Sequence, residues 1–347
     1  MENGKIKAWL PTVRAGSGSD IYTIRLAQAL EMRGISCTIT WFPLRYEILP
    51  ICLRNRTPPE GTDIIFANSW NAFAFKRLGV PLVATLHHAE FGSPNAYLSL
   101  AQKMYRQALI RQYEMQSFKA ADAIVAVSQF AADSLHRTSF ADKVEVIHNW
   151  IDIDKYRPIE EKEPANKPFR LLFVGKQSRL KGADMLPAIM NQLGDDFHQT
   201  IAGTMRRTRG TVLPGNMSSL GWLNEAKLIR AYQECDALLF PSRSEGFGYT
   251  ALEAMACGKP VIASNATALP EIVADGLTGV LCEAGDIEAF VNASRWLAAE
   301  PFIARTMGDE GRRRAVEQFS EGKSAFKYSS LIDRLLPMRS SGENTPG

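Results

Sequence analysis

The chain has no run of about 18 uninterrupted apolar residues, no signal-like stretch in its opening "MENGKIKAWLP", and no pair of cysteines spaced CxxC. The first two lacks predict that it neither spans a membrane nor is exported through a signal peptide. Its cysteines, Cys37, Cys52, Cys235, Cys257 and Cys282, are odd in number and far apart. That spacing disfavours both a disulfide framework and a zinc site, and it points to a reducing cytosol. Surplus charge is also missing: 40 Lys and Arg against 37 Asp and Glu leave +3, too little to argue for nucleic acid as a partner. What is present, 46% hydrophobic and 22% charged residues in 347, suits a soluble globular protein with room for two cores.

Short β-like runs alternate with longer helical patterns: "IKAWL", a helix over about 20–33, "SCTITWF", "DIIFANS", "PLVATLHH", a helix over about 97–119, "AIVAVS" and "KVEVIHN". This rhythm implies a parallel sheet with helical crossovers. The charged, proline-bearing "RPIEEKEPANKP" (157–168) reads as a linker, after which the rhythm restarts with "FRLLFVG", "HQTIAGT", "DALLFPS", "KPVIAS" and "TGVLCE". The expected division is an N-terminal domain over 1–158, a C-terminal one over 159–335 whose final helix packs back on the first, and a polar tail over 336–347. Ligands of doubly wound sheets bind beyond the carboxyl ends of the strands, where each motif below falls.

"SEGFGYTALEA" (244–254) places Glu245 and Glu253 eight positions apart, which on one helix would set them roughly 80° out of line. Glu245 is therefore expected on a loop. Thr250 to Glu253 reads T-x-x-E, a capping box, and predicts a helix starting near Thr250 with Glu253 in its first turn. Gly246 and Gly248 permit close backbone approach, the helix start favours an anion such as a diphosphate, and Glu253 is suited to accept bonds from vicinal sugar hydroxyls. The plainer alternative is a capping Glu253 and a solvated Glu245. "FVGKQSRLKG" (173–182) runs from a strand into a loop with Lys176, Arg179 and Lys181, cations able to neutralise a leaving diphosphate without a metal, or simply a solvated basic turn. It lacks the GK[ST] of a Walker loop. "RAGSGSDIYTIRLAQALEMRG" sets Ser17, Gly18 and Ser19 before a helix with apolar Ile21, Ile24, Leu26, Ala27 and Leu30. "ATLHHAEF" puts His87 and His88 beyond another strand, a structural or a catalytic position.

Gly18 with Leu26-Ala27, the strand-end His87, "AVSQFAADSL", "VIHNWID", "VGKQSRLKG" and above all "PSRSEGFGYTALEAMACGKPVIAS" with "LPEIVADGLTGVL" carry a resemblance. The chain resembles the retaining glycosyltransferases of family 4, from about residue 10 to 335, most specifically in its C-terminal half. The resemblance implies the α/β GT-B fold, two Rossmann-like doubly wound domains facing a central cleft, and a nucleotide-diphosphate sugar as co-substrate with neither metal nor other cofactor. It implies that Glu253 holds the ribose, and that Glu245 with the backbone of Phe247, Gly248 and Tyr249, beside Thr250, holds the transferred sugar. Lys176 and Lys181 would hold the diphosphate, Gly18 would approach it from the other domain, His87 would contact the sugar, and Leu223 of "GWL" falls where the family grips the base. Glu245, His87 and Lys181 are the catalytic candidates. Three departures stand out: Lys176 where the family has arginine, which replaces a bidentate contact by a point charge; Trp150 for the glycine of "NG-D"; and "NATALPE", which lacks a glycine before Pro270-Glu271.

Other readings compete. Asp152-x-Asp154 is the kind of pair that metal-dependent GT-A enzymes use for a divalent ion. A sugar-nucleotide epimerase, a phosphorylase or a silent partner of a membrane enzyme would share much of the scaffold. The acceptor expectation starts from "AQKMYRQALIRQYEMQSFK" (101–119), where Lys103, Arg106, Arg111 and Lys119 accompany Tyr105, Leu109 and Tyr113 at i, i+4 spacing. Basic residues interleaved with aromatics suit an anionic membrane surface or a lipid-linked acceptor, although the apolar stripe alone would equally be core. The expected setting is the cytoplasm, peripheral on the inner leaflet of the plasma membrane.

Overall fold

Every residue of Ile64–Asn68 (β3), Leu82–Leu86 (β4) and Ala123–Ala126 (β5) is buried, as strands covered on both faces require. With Lys7–Val13 (β1), Ser36–Phe42 (β2) and Val144–Val146 (β6) they form one sheet in the order β2-β1-β3-β4-β5-β6. Phe169–Val174 (β7), Phe197–Ala202 (β8), Met217–Gly221 (β9), Ala237–Phe240 (β10), Val261–Ser264 (β11) and Gly279–Cys282 (β12) form a second, ordered β12-β11-β10-β7-β8-β9. All neighbouring strands pair in parallel. The fold is GT-B, built from two Rossmann-like sheets. The computed structural model describes residues 5–16, 18–88, 104–159, 168–203 and 213–336.

Sequence rhythm does not announce β9. "MSSLG" is an edge strand with two serines and an exposed Leu220, and its single buried residue, Met217, is too little to give it a hydrophobic signature. Each strand that the rhythm does mark is present.

Two compact units result. Among the described residues the first comprises those up to Asn149 together with Glu321 onward, and the second runs from Trp150 to Ser320. The change of unit thus precedes the linker, of which 160–167 lie outside the described residues, as do 337–347 of the tail. In the first unit the helix Glu321–Leu335 lies against the helix Gly18–Glu31. Tyr328 and Tyr22 join hydroxyls at 2.6 Å, Tyr328 meets the Phe66 ring edge-on at 6.0 Å, and Ser324 Oγ donates to His148 O at 2.8 Å. Leu331 and Ile332 are wholly buried beside them. Ile21 and Ile24 of the first helix remain exposed, so its core stripe is Tyr22, Leu26, Ala27, Ala29 and Leu30.

The basic-aromatic helix is described from Met104, with a π turn at Arg106–Ile110 leading into Arg111–Ala120. Its aromatic stripe divides. Tyr113 stacks on Phe73 at 5.6 Å and Phe118 is buried, while Leu109 and Met104 face solvent. Glu114 is buried and accepts from Ser69 Oγ at 2.9 Å. The second half of this helix is therefore core; residues 101–103 and the Arg106 side chain lie outside the described residues.

The last helix should be a structural part of the first unit. Leu331→Ala is expected to cost about 2–5 kcal/mol, and Tyr328→Phe, which removes one partner of the buried Tyr22 hydroxyl, about 0.5–1.5 kcal/mol. Thermal unfolding would rank them in that order; an unchanged midpoint for Leu331→Ala would show that the helix contributes nothing.

Candidate active site

In the second sheet the strand order reverses between β10 and β7, so the chain leaves these neighbours in opposite directions and opens a crevice beyond their carboxyl ends. The loops after them fill that position. Gly182 (φ +70°) packs so closely on the second loop that a Cβ there would lie 2.0 Å from Pro241 O. Arg243 N donates to Leu180 O at 2.8 Å, and the buried Arg243 guanidinium grips Asp184 through two bonds of 2.6 and 3.2 Å. The two loops are thus locked into one body. Neither Arg243 nor Asp184 stands out in the sequence; an arginine three residues beyond a buried strand is the only signal.

This body presents Glu245. Its Oε1 accepts from Lys181 Nζ and from Ser242 Oγ, each at 2.6 Å, and its backbone N–H donates to Thr267 Oγ1 at 2.9 Å. The residue is 8% exposed, so the solvated alternative is excluded. The structure thereby joins two sequence candidates, Lys181 and Glu245, into one ion pair. Thr267 has φ +53°, the one non-glycine residue with positive φ among those described, a backbone state that costs a β-branched residue about 1–3 kcal/mol.

The helix after this loop, Tyr249–Ala256, does not begin with a capping box. Gly248 occupies the cap position at φ +106° with no side-chain cap, and Thr250 lies inside the helix. Glu253 is instead buried, its Oε2 accepting from Tyr232 Oη at 2.9 Å. Burial, and then the carboxylate beside it, push the Tyr232 hydroxyl well above the ordinary tyrosine range. Glycine suits the cap because a left-handed residue lets Gly248 and Tyr249 turn from the buried Phe247 directly into the helix, whose first N–H groups have no partner within the helix. Phe247 is wedged edge-on against Tyr249 at 5.4 Å and Phe319 at 5.9 Å. Lys176 is exposed on the first loop. Leu223 lines a cavity of about 620 Å³, with Leu172, His198, Thr200, Leu220 and Lys227, whose lining includes neither Lys181 nor Glu245.

In the first unit Gly18 is exposed at the start of its helix, and Asp20 in the first turn accepts from Ala15 N (3.2 Å) and Gly16 N (2.8 Å); Ser17 lies outside the described residues. His87 follows β4. Its Nε2 stands 2.8 Å from Asn68 Oδ1, and its ring meets Tyr22 edge-on at 4.6 Å. Burial lowers His87 to about 3 and raises Tyr22 to about 12, so both are neutral at physiological pH. Asn68 and Tyr22 were not legible as site residues, though a polar residue closing the apolar "IIFAN" is a signal of a kind. Asp152 Oδ1 accepts from Asp154 N (3.1 Å) and Lys155 N (2.9 Å), so that aspartate shapes its own turn. Among the described residues no group of three or more His, Cys, Asp or Glu could hold a metal ion.

The profile of the glycosyl transferases group 1 matches residues 155–314, and that of Glycosyltransferase Family 4 matches 40–155. The chain belongs to this glycosyltransferase family. It is 29% identical over 298 residues to alpha-maltose-1-phosphate synthase of Mycolicibacterium smegmatis, spanning 75% of this chain and 76% of that one. An uncharacterised protein from the cps region of Klebsiella pneumoniae is 32% identical over 166 residues, 43% of this chain and 44% of its own. In fold, the glycosyltransferase is similar to sucrose-phosphate synthase of Thermosynechococcus elongatus (TM-score 0.79, 21% identity, 96% of this chain and 99% of that one). It is also similar to Anabaena HepE in complex with UDP and glucose (TM-score 0.75, 18% identity, 95% and 100%).

A histidine whose folded pKa is depressed contributes stability that is complete above its unfolded value and lost as pH falls below it. From about pH 6.5 down to 5, wild-type glycosyltransferase should therefore lose stability relative to His87→Gln, by at most about 1.4 kcal/mol per pH unit. Thermal midpoints of both proteins across that window check this. Parallel pH curves would mean that His87 takes up its proton as readily folded as unfolded.

Proposed function

We propose that this glycosyltransferase moves a sugar from a nucleotide-diphosphate sugar, UDP-linked in preference to GDP-mannose, to a lipid-linked or polysaccharide acceptor in cell-envelope glycan synthesis. Transfer proceeds with retained anomeric configuration and without a metal. The observation that carries this reading is the Lys181–Glu245 pair of 2.6 Å, set where the second sheet reverses its strand order. A diphosphate arriving there meets Lys181 and, on the same loop, Lys176. As the bond from the anomeric carbon to phosphate breaks, its electron pair passes to the diphosphate, and the two ammonium groups stabilise the growing charge. The acceptor oxygen bonds to the anomeric carbon on the face being vacated, and its proton goes to the departing phosphate oxygen.

Glu245 orients the transferred sugar together with the backbone of Phe247, Gly248 and Tyr249, while Thr250 continues that surface. Glu253 takes the ribose hydroxyls, its second oxygen being steadied by Tyr232. Leu223 contributes to the base site. In the first unit the neutral His87 ring is suited to a sugar hydroxyl because it introduces no charge. The UDP and glucose held by HepE favour a UDP sugar, and the cps-region relative favours the envelope setting.

Peripheral contact with an anionic membrane belongs to the same reading. Leu44, Ile48, Leu49 and Ile51 are exposed on one short segment with Arg45, Arg54 and Arg56 beside them, an arrangement of apolar residues and cations suited to a negatively charged leaflet. No described helix is long and apolar enough to cross a bilayer. Ile48→Glu/Leu49→Glu should reduce co-sedimentation with anionic vesicles severalfold at low salt, and neutral vesicles should bind neither protein. Equal sedimentation of both proteins with both vesicles would leave a soluble acceptor.

The donor site is tested by substitution. Lys181→Ala should lower kcat by about 10²–10³ because charge on the diphosphate grows in the transition state. Glu253→Gln should chiefly weaken the thermal shift given by UDP or GDP, and EDTA should leave turnover intact. Wild-type turnover in Lys181→Ala would remove the phosphate assignment; abolition by EDTA with rescue by manganese would restore a metal-dependent mechanism.

A further inference from the structure

We infer that Thr267 is a positioning residue that sets the Glu245 carboxylate through the Glu245 backbone amide, an inference that rests on the donor-site reading above. The first observation is conformational. Thr267 is the one described non-glycine residue held at positive φ, and a β-branched side chain is among the least comfortable there. Glycine would adopt this backbone state freely. A threonine stands where it strains the chain, which calls for something its side chain does.

The second observation supplies that task. Thr267 Oγ1 accepts the N–H of Glu245 at 2.9 Å. The bond joins the loop after β11 to the loop after β10, 22 residues apart in sequence. At the other end of Glu245, Ser242 and Lys181 both hold Oε1. The carboxylate is thus fixed at its tip by two donors and at its root by one acceptor. Without the root contact the Glu245 peptide can rotate, and the carboxylate would carry the paired Lys181 ammonium with it. Lys181 and Glu245 would then no longer present a common geometry to the diphosphate and the sugar. Small misplacements of this kind are costly, since about 1 Å can remove 10²-fold in rate.

A hydroxyl-dependent role separates from a merely structural one because the two follow different series. Threonine and serine supply the acceptor; alanine and glycine do not. Strain follows another order, worst for threonine and absent for glycine. The experiment compares Thr267→Ser, Thr267→Ala, Thr267→Gly and Glu245→Gln with wild type. It reads amide exchange of the peptide containing Glu245, thermal midpoint, and kcat and KM for nucleoside diphosphate release from UDP-glucose or GDP-mannose, whichever the wild type cleaves. We expect exchange at Glu245 to accelerate about tenfold in both the alanine and the glycine variants and to stay slow in serine. We expect kcat to fall about tenfold in the same two, with KM changed less than threefold, and serine to restore it. The midpoint should be higher for glycine than for alanine although their turnover is equal.

Restoration of slow exchange and turnover in Thr267→Gly would overturn the inference, because relief of strain, rather than the hydroxyl, would then be what matters. Wild-type exchange and kcat in Thr267→Ala would overturn it equally. If Glu245→Gln turns over like wild type, the donor-site reading itself fails; if Glu245→Gln is impaired while Thr267→Ala and Thr267→Gly are not, only the positioning role does.

Discussion

The architecture of the second unit converges on one carboxylate. Glu245 is buried, and a buried carboxylate is tolerated only when its charge is paired and its oxygens are hydrogen-bonded. Lys181 and Ser242 meet that need at Oε1, and Thr267 holds the backbone N–H of the same residue from a third loop. Each is delivered by a structural device: Gly182 allows one loop to lie against the Pro241 carbonyl, Arg243 clamps Asp184, and Thr267 accepts a strained backbone. Remove the requirement to hold Glu245, and there is no evident reason for these three loops to be so tightly joined.

The ion pair also bears on function. The Lys181 ammonium is paired with the Glu245 carboxylate, while Lys176 on the same loop stays exposed. A diphosphate offers Lys181 more negative charge than the carboxylate does, and a sugar hydroxyl offers Glu245 a donor in exchange. On the function proposed above, the pair would be a preorganised site that exchanges one set of partners for another. Preorganisation of this sort is where much of the rate acceleration in charge-developing reactions originates.

Much of the fold was legible because buried parallel strands are nearly continuous apolar runs. "SCTITWF" marks β2 residue for residue, and "DIIFANS" and "PLVATLHH" locate β3 and β4 within a residue or two. The edge strand β9 was hidden because two serines and an exposed leucine carry no periodic burial. At the site, Glu245 and Lys181 were visible as charged residues at strand ends, but their pairing was not, since it links positions 64 residues apart. T-x-x-E at Thr250 misled because a left-handed glycine, and not a hydroxyl, starts that helix, while Glu253 turns inward to Tyr232. In "NATALPE" the sequence marks only a missing glycine, and Thr267 itself carries no signal. Its meaning depended on a backbone angle that composition does not encode.

The central claim is that a nucleoside diphosphate binds at the Lys181–Glu245 crevice of the second unit. Mapping amide exchange with and without saturating UDP, and separately GDP, tests it most directly, because the readout is positional and needs no acceptor. The account predicts protection in residues 175–183 and 243–253 with the nucleotide that binds, and its disappearance in Lys181→Ala. Protection confined to other segments, or an unchanged pattern in Lys181→Ala, would contradict it.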